Sequence, residues 1–186
     1  MKTLLCSLAI AVLFACSAAL AQEPVVGVTG AEADALFTDK NPTLNTNKQA
    51  AYHIMKDLLE DNHWDLAGQW LTQAYHQHNP NVVSGLDPVV KFFTGFRKPT
   101  PITEHIEKTH IVAVVAEGDK VIVVISREYK DPRDPSKTYT TSWFDMWRFV
   151  NGKADEHWDA ATINPPAPPP AAATPNPPSG VNVTTH

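Results

Sequence analysis

Asp145, His157 and Asp159 are the residues whose types and spacing best suit chemistry. They fall in two stretches, Asp145-Met146-Trp147-Arg148-Phe149 and Glu156-His157-Trp158-Asp159, joined through Asn151-Gly152. Two carboxylates and an imidazole can pass a proton to and from a substrate. In an apolar pocket a carboxyl group favours its neutral form, which suits proton exchange near neutrality. Trp143 and Trp147 alternate with Asp145 and would wall such a pocket. Upstream, Tyr75, His78 and Asn79 precede Pro80 and can offer hydrogen bonds at the pocket mouth. His76 and His78 share a strand face, with His105 and His110 elsewhere. No acidic residue accompanies them at metal-binding spacing, so no metal is expected. Arg148 and Glu156 read as a structural pair.

Whether the acids and the histidine meet depends on one turn. If Val150-Asn151-Gly152 is a three-residue loop, Phe149 faces Lys153, Asp145 sits opposite His157, and Trp143 sits opposite Asp159. If Asn151-Gly152 is a two-residue loop, Asp145 faces Trp158, and His157 and Asp159 move to the face of Arg148. The first register is favoured here, because it gathers both acids, the histidine and both tryptophans on one face.

The elements around these residues change period partway along the chain. Thr46-Asn47-Lys48-Gln49 is a capping-box pattern, and Ala51, Ile54, Met55, Leu58 and Leu59 then recur at helical spacing to about Asp61. A second short helix fits Trp64 to Leu71, and Thr72 to His78 suits a short strand. Asp87-Pro88 starts a third helix with Phe92, Phe93 and Phe96 on its apolar face. Beyond Pro101 the apolar period falls to two. Strands are expected over Ile102 to Ala116, Val121 to Tyr129, Tyr139 to Phe149 and Lys153 to Ile163, with a wide loop over Asp131 to Ser136. Helices followed by an antiparallel meander define an α+β domain with the helices on one sheet face.

Both ends differ from this core. Residues 1–21 read as a secretory signal: Lys2, an apolar run from Leu4, and a small-residue cleavage site at Ala19-Leu20-Ala21. Export would make the protein secreted or periplasmic. It would also remove Cys6 and Cys16, the two cysteines of the chain. No cysteine nucleophile or cysteine-bound metal is then available. Membrane attachment would require lipidation at Cys16. Residues 22–45 look weakly ordered, residues 46–163 form the folding unit, and residues 164–186 form a proline-rich, extended tail. The 186 residues carry a formal charge of −5, and that acidic balance argues against nucleic-acid binding. The chain also contains 5 Trp, 4 Tyr and 7 Phe, enough aromatic mass for a core. Phe144 and Met146 alternate with Trp143 and Trp147, so one strand is apolar on both faces, and a homodimer through the outer face is expected.

Two stretches carry a family resemblance. One is Tyr75-His76-Gln77-His78-Asn79-Pro80-Asn81-Val82, followed by Gly85 and the Phe92-Phe93 helix. The other runs from Ala116-Glu117-Gly118-Asp119-Lys120-Val121 through Asp145-Met146-Trp147-Arg148-Phe149 and Asn151-Gly152-Lys153 to Glu156-His157-Trp158-Asp159. Together they resemble the SnoaL-like polyketide cyclase group of the nuclear transport factor 2-like superfamily. The resemblance implies a cone-shaped half-barrel, with three N-terminal helices on a curved antiparallel sheet around an apolar pocket. It also implies dimerisation through the sheet, and aldol condensation or isomerisation of a small carbonyl compound without any cofactor. Asp159 would then be the acid/base group, with His157 and Asp145 setting its protonation. Tyr75, His78, Asn79, Trp143 and Trp147 would hold a small apolar ligand. The family's second long strand often has His where this chain has Val124 and Ser126. The same fold also serves non-catalytic binding, so a secreted ligand-binding module is the alternative.

Overall fold

The computed structural model describes residues 22–163. The expected signal segment and proline-rich tail lie outside them. Four α-helices, α1 (Gly30–Leu36), α2 (Pro42–His53), α3 (Ala67–Trp70) and α4 (Leu86–Thr94), pack on a five-stranded sheet. The strands are β1 (Leu71–Gln77), β2 (His110–Glu117), β3 (Lys120–Asp131), β4 (Asp134–Val150) and β5 (Lys153–Asp159), in the order β1-β5-β4-β3-β2. Four of them form the expected meander. The sheet is not wholly antiparallel, because β1 adds to β5 in parallel. Among the described residues no helix is long and apolar enough to cross a membrane.

Helix α2 begins one turn before the expected capping box. Asn41 Oδ1 accepts the N–H groups of Thr43 and Leu44 at 3.0 and 3.3 Å, and Pro42 occupies the first turn. Thr46 lies inside the helix and its hydroxyl donates to Pro42 O at 3.0 Å. A π-helical segment, Ile54–Glu60, continues α2 until Asn62, whose φ of 62° turns the chain away. Residues 22–45, expected to be weakly ordered, are built into the fold. They carry α1, bury Ala33 and Phe37, and bridge Val28 to Ile111. Lys48 ties them to α2 by donating to the carbonyls of Leu36 and Thr38.

The strand expected from Ile102 starts only at His110. Before it the chain is irregular and held by two buried carboxylates of the π-helical end, Glu60 and Asp61. Ile106 is nevertheless fully buried, which is why the segment has an apolar signal without being a strand. The wide loop expected over Asp131 to Ser136 is instead a tight turn: Asp131 pairs with Asp134, and β3 and β4 run on to meet it. Along β3 and β4 the odd-numbered residues face the helices. Val121, Val123, Ile125, Trp147 and Phe149 are buried there, while Phe144 on the opposite face is 50% exposed.

Candidate active site

The β4–β5 hairpin follows neither expected register. Its turn is the two-residue form: Val150 pairs with Lys153, and Asn151 and Gly152 have φ of 50° and 75°, as a type I′ turn requires. A bulge at Asp155 then shifts the ladder, so Phe149 pairs with Ala154 but Arg148 pairs with Glu156. One inserted residue reverses the facing of everything beyond it. His157 and Asp159 therefore return to the inner face, opposite Trp147 and Asp145 respectively. The bulge is held from outside. Asp155 accepts a bond from the Thr72 hydroxyl at 2.7 Å and one from Arg148 Nη2 at 2.5 Å, and Arg148 Nε donates to Glu156 at 2.9 Å. Thr72 and then Arg148 hold the Asp155 carboxyl below its usual range, and Glu156 is lowered first by His78 and then by Arg148. Arg148 and Glu156 are thus the structural pair the sequence suggests.

Inside, one ligand atom from each of Asp145, His157 and Asp159 lies within 4.8 Å of the other two. Asp145 and His157 are each 6% exposed. His157 Nδ1 is 2.9 Å from Gln77 Oε1. Its Nε2 faces Asp145 Oδ1 at 3.2 Å, so the ring bridges Gln77 and Asp145. Trp143 Nε1–H also donates to Asp145 Oδ1, at 3.3 Å. Asp159 is fixed separately: Asn79 Nδ2 donates to Oδ2 at 2.7 Å and Ala161 N–H to Oδ1 at 2.9 Å. The trio can hold and move protons. The same donors, one nitrogen and two carboxylate oxygens, are also close enough to hold one divalent cation, with Gln77 orienting the histidine from behind.

These groups form one wall of a cavity of about 260 Å³. The remaining lining is mostly aromatic and aliphatic: Trp64, Phe92 and Phe93 from the helices, with Tyr75, Trp143 and Trp147 from the sheet. Trp64 and Phe93 stack at 4.1 Å and close the helical side. Tyr75 is buried and its oxygen accepts Trp147 Nε1–H at 3.0 Å. Burial pushes the Tyr75 phenol well above its usual value, Asp145 and Asp159 add to this, and the Trp147 bond opposes it only in part. Tyr75 therefore stays neutral and keeps a proton to donate.

Of the residues singled out from sequence, Asp145, His157, Asp159, Tyr75, Asn79, Trp143 and Trp147 all line this cavity. His78 does not. It lies just after β1 and on its outer side, stacked on Trp158 at 5.0 Å and bonded to Glu156 at 2.8 Å, because the inner side belongs to Tyr75 and Gln77. Gln77 and Arg127 are cavity residues not singled out from the sequence. Strand alternation contained the signal for both: Gln77 is two residues after Tyr75, and Arg127 follows Val121, Val123 and Ile125 at period two. Val124 and Ser126 face the other way, pairing with Phe144 and Ser142, so the absence of His there leaves the cavity unchanged.

The sheet thus carries helices on one face, with the polar groups on one wall of the pocket between them. The chain belongs to the SnoaL-like domain family, whose model matches residues 53–157, more than half of the sequence. No curated protein sequence matches it. Among solved structures it is similar to a candidate polyketide cyclase from Acidithiobacillus ferrooxidans, at 13% identity over 61% of this chain and 86% of that chain, with a TM-score of 0.46. It is also similar to a candidate SnoaL-like polyketide cyclase from Jannaschia sp. CCS1, at 18% identity over 66% and 91%, with a TM-score of 0.45. A candidate ketosteroid isomerase from Kribbella flavida matches at 13% identity over 67% and 82%, with a TM-score of 0.42.

Proposed function

We propose that this protein catalyses cofactor-independent acid/base chemistry, aldol condensation or isomerisation, on a small carbonyl compound. The observation that carries this reading is the convergence of Asp145, His157 and Asp159 on one wall of an otherwise apolar cavity. Asp159 takes a proton from the carbon next to the carbonyl, and Tyr75 O–H donates to the oxygen on which the negative charge develops. The enolate then attacks a second carbonyl carbon, or is reprotonated at another carbon. In either case the proton held by Asp159 is returned to the product. The test is exchange of α-protons in deuterium oxide, followed by nuclear magnetic resonance over a panel of small ketones, diketones and keto acids. Exchange above the buffer rate is expected, and it should persist in EDTA. Binding without exchange would make the protein a ligand-binding module. Exchange abolished by EDTA would put a cation on the trio.

We also propose that the protein is a homodimer joined through the outer sheet face. The support is an apolar patch on that face, with Val115 55%, Phe144 50% and Val150 40% exposed. Phe144→Lys should halve the mass measured by light scattering at micromolar concentration. A wild-type mass equal to one chain would count against the dimer.

A further inference from the structure

Arg127 is a charge in a row otherwise given to the core. Val121, Val123 and Ile125 precede it on the inner face of β3 and are buried. Its guanidinium carbon lies 3.8 Å from the centre of the Trp143 ring, stacked on the tryptophan that also bonds Asp145. Neighbouring cations have partners: Lys108 pairs with Asp61 at 3.1 Å and Lys56 with Asp57 at 2.7 Å. Among the described residues no carboxylate or carbonyl pairs with Arg127. Its position is a junction. Arg127, Asp145 and Leu59 line both the main cavity and an adjoining recess of about 320 Å³, which opens beside Lys108, His110 and Ser126.

We propose that Arg127 anchors a carboxylate of the ligand, so that the site takes small keto acids rather than neutral ketones. This rests on the acid/base reading above and names its substrate class. A guanidinium fork matches the two oxygens of a carboxylate, and stacking on Trp143 fixes its plane before the ligand arrives. A half-buried cation without an anion lacks part of its solvation, and a ligand carboxylate restores it. The charge balance selects a monoanion: Asp145 and Asp159 share the same cavity, so a doubly charged phosphate would be repelled. A carboxylate held by Arg127, at the junction with the recess, leaves the carbonyl end of the ligand for Tyr75 and Asp159 in the main cavity. Arg127 binds the ligand and takes no part in proton transfer.

The test uses a matched pair of probes, 4-oxo-4-phenylbutanoic acid and its methyl ester, with binding to the full chain measured by calorimetry. The wild type should bind the acid roughly 10- to 100-fold more tightly than the ester, the scale of a charge-assisted hydrogen-bonded pair. Arg127→Met should abolish that preference, so that acid and ester bind with similar affinity, while an unchanged circular dichroism spectrum and melting temperature show that the variant is folded. Arg127→Lys should retain part of the preference. Equal binding of acid and ester by the wild type, no binding of the acid, or a preference that survives Arg127→Met would each overturn the proposal. The two readings fail separately. An Arg127-dependent preference without α-proton exchange leaves a keto-acid binder, and exchange without preference leaves the catalyst and removes the carboxylate anchor.

Discussion

Asp159→Asn should reduce turnover of any substrate found in the exchange assay by roughly 10²-fold or more, the lower end of what general acid/base catalysis supplies. The Michaelis constant should change little, because the substitution removes a proton carrier and keeps the shape. The local cost is predictable. Asp159 accepts from Asn79 Nδ2 on one oxygen and from Ala161 N–H on the other. An amide at this position can keep one of these bonds and sets its own NH2 against the second donor. Asn79 cannot simply invert, since its Oδ1 already accepts from Asn81 N–H and Asn81 Nδ2 at 2.9 and 3.1 Å. One lost bond costs about 1 kcal/mol, too little to unfold the domain. A folded Asp159→Asn protein with wild-type turnover would remove Asp159 from the mechanism.

Glu60→Ala should lower the melting temperature by about 10 °C. Glu60 is 5% exposed, and its two oxygens accept three backbone N–H groups: Glu107 at 2.7 Å, Lys108 at 3.0 Å and Thr109 at 2.9 Å. Alanine leaves all three donors unpaired in a part-buried site. At about 1 kcal/mol each the loss is about 3 kcal/mol, which for a domain of this size is roughly the stated shift. Glu60→Gln should cost much less, because Oε1 alone serves Glu107 and Lys108. Equal melting temperatures for the wild type and Glu60→Ala would show that water replaces the carboxylate at no cost. The neighbouring Asp61 adds a pH dependence. It is fully buried; burial pushes its carboxyl up, but bonds from Thr103 and Lys108 outweigh that and hold it below the usual value. A carboxylate lowered on folding stabilises above its unfolded value of about 3.9, and that contribution is lost as the pH falls through the lower folded value. The anchored segment carries Lys108 and Thr109, which line the recess beside Arg127, so the same carboxylates that stabilise the fold also shape that recess.

The sequence alone placed the candidate acid/base residues on their strand faces. Period-two alternation put Trp143, Asp145 and Trp147 on one face of β4 and His157 with Asp159 on one face of β5, because side chains on a strand must alternate. The helix-to-strand change of period was equally legible, since an apolar stripe has a different repeat in each. Register was decided by tertiary structure. The bulge at Asp155 brings His157 and Asp159 to the face of Asp145, and it is pinned by Thr72, 83 residues away in sequence, together with Arg148. No local pattern encodes a contact of that separation. The same reason covers the other departures. His78 faces outward because β1 lies in parallel on β5, residues 22–45 are ordered because Val28 finds Ile111, and the segment before β2 is irregular because Glu60 and Asp61 take up the backbone N–H groups a ladder would have used. Each depends on partners that only folding brings together, whereas the inward and outward faces of a strand are fixed by the backbone of that strand alone.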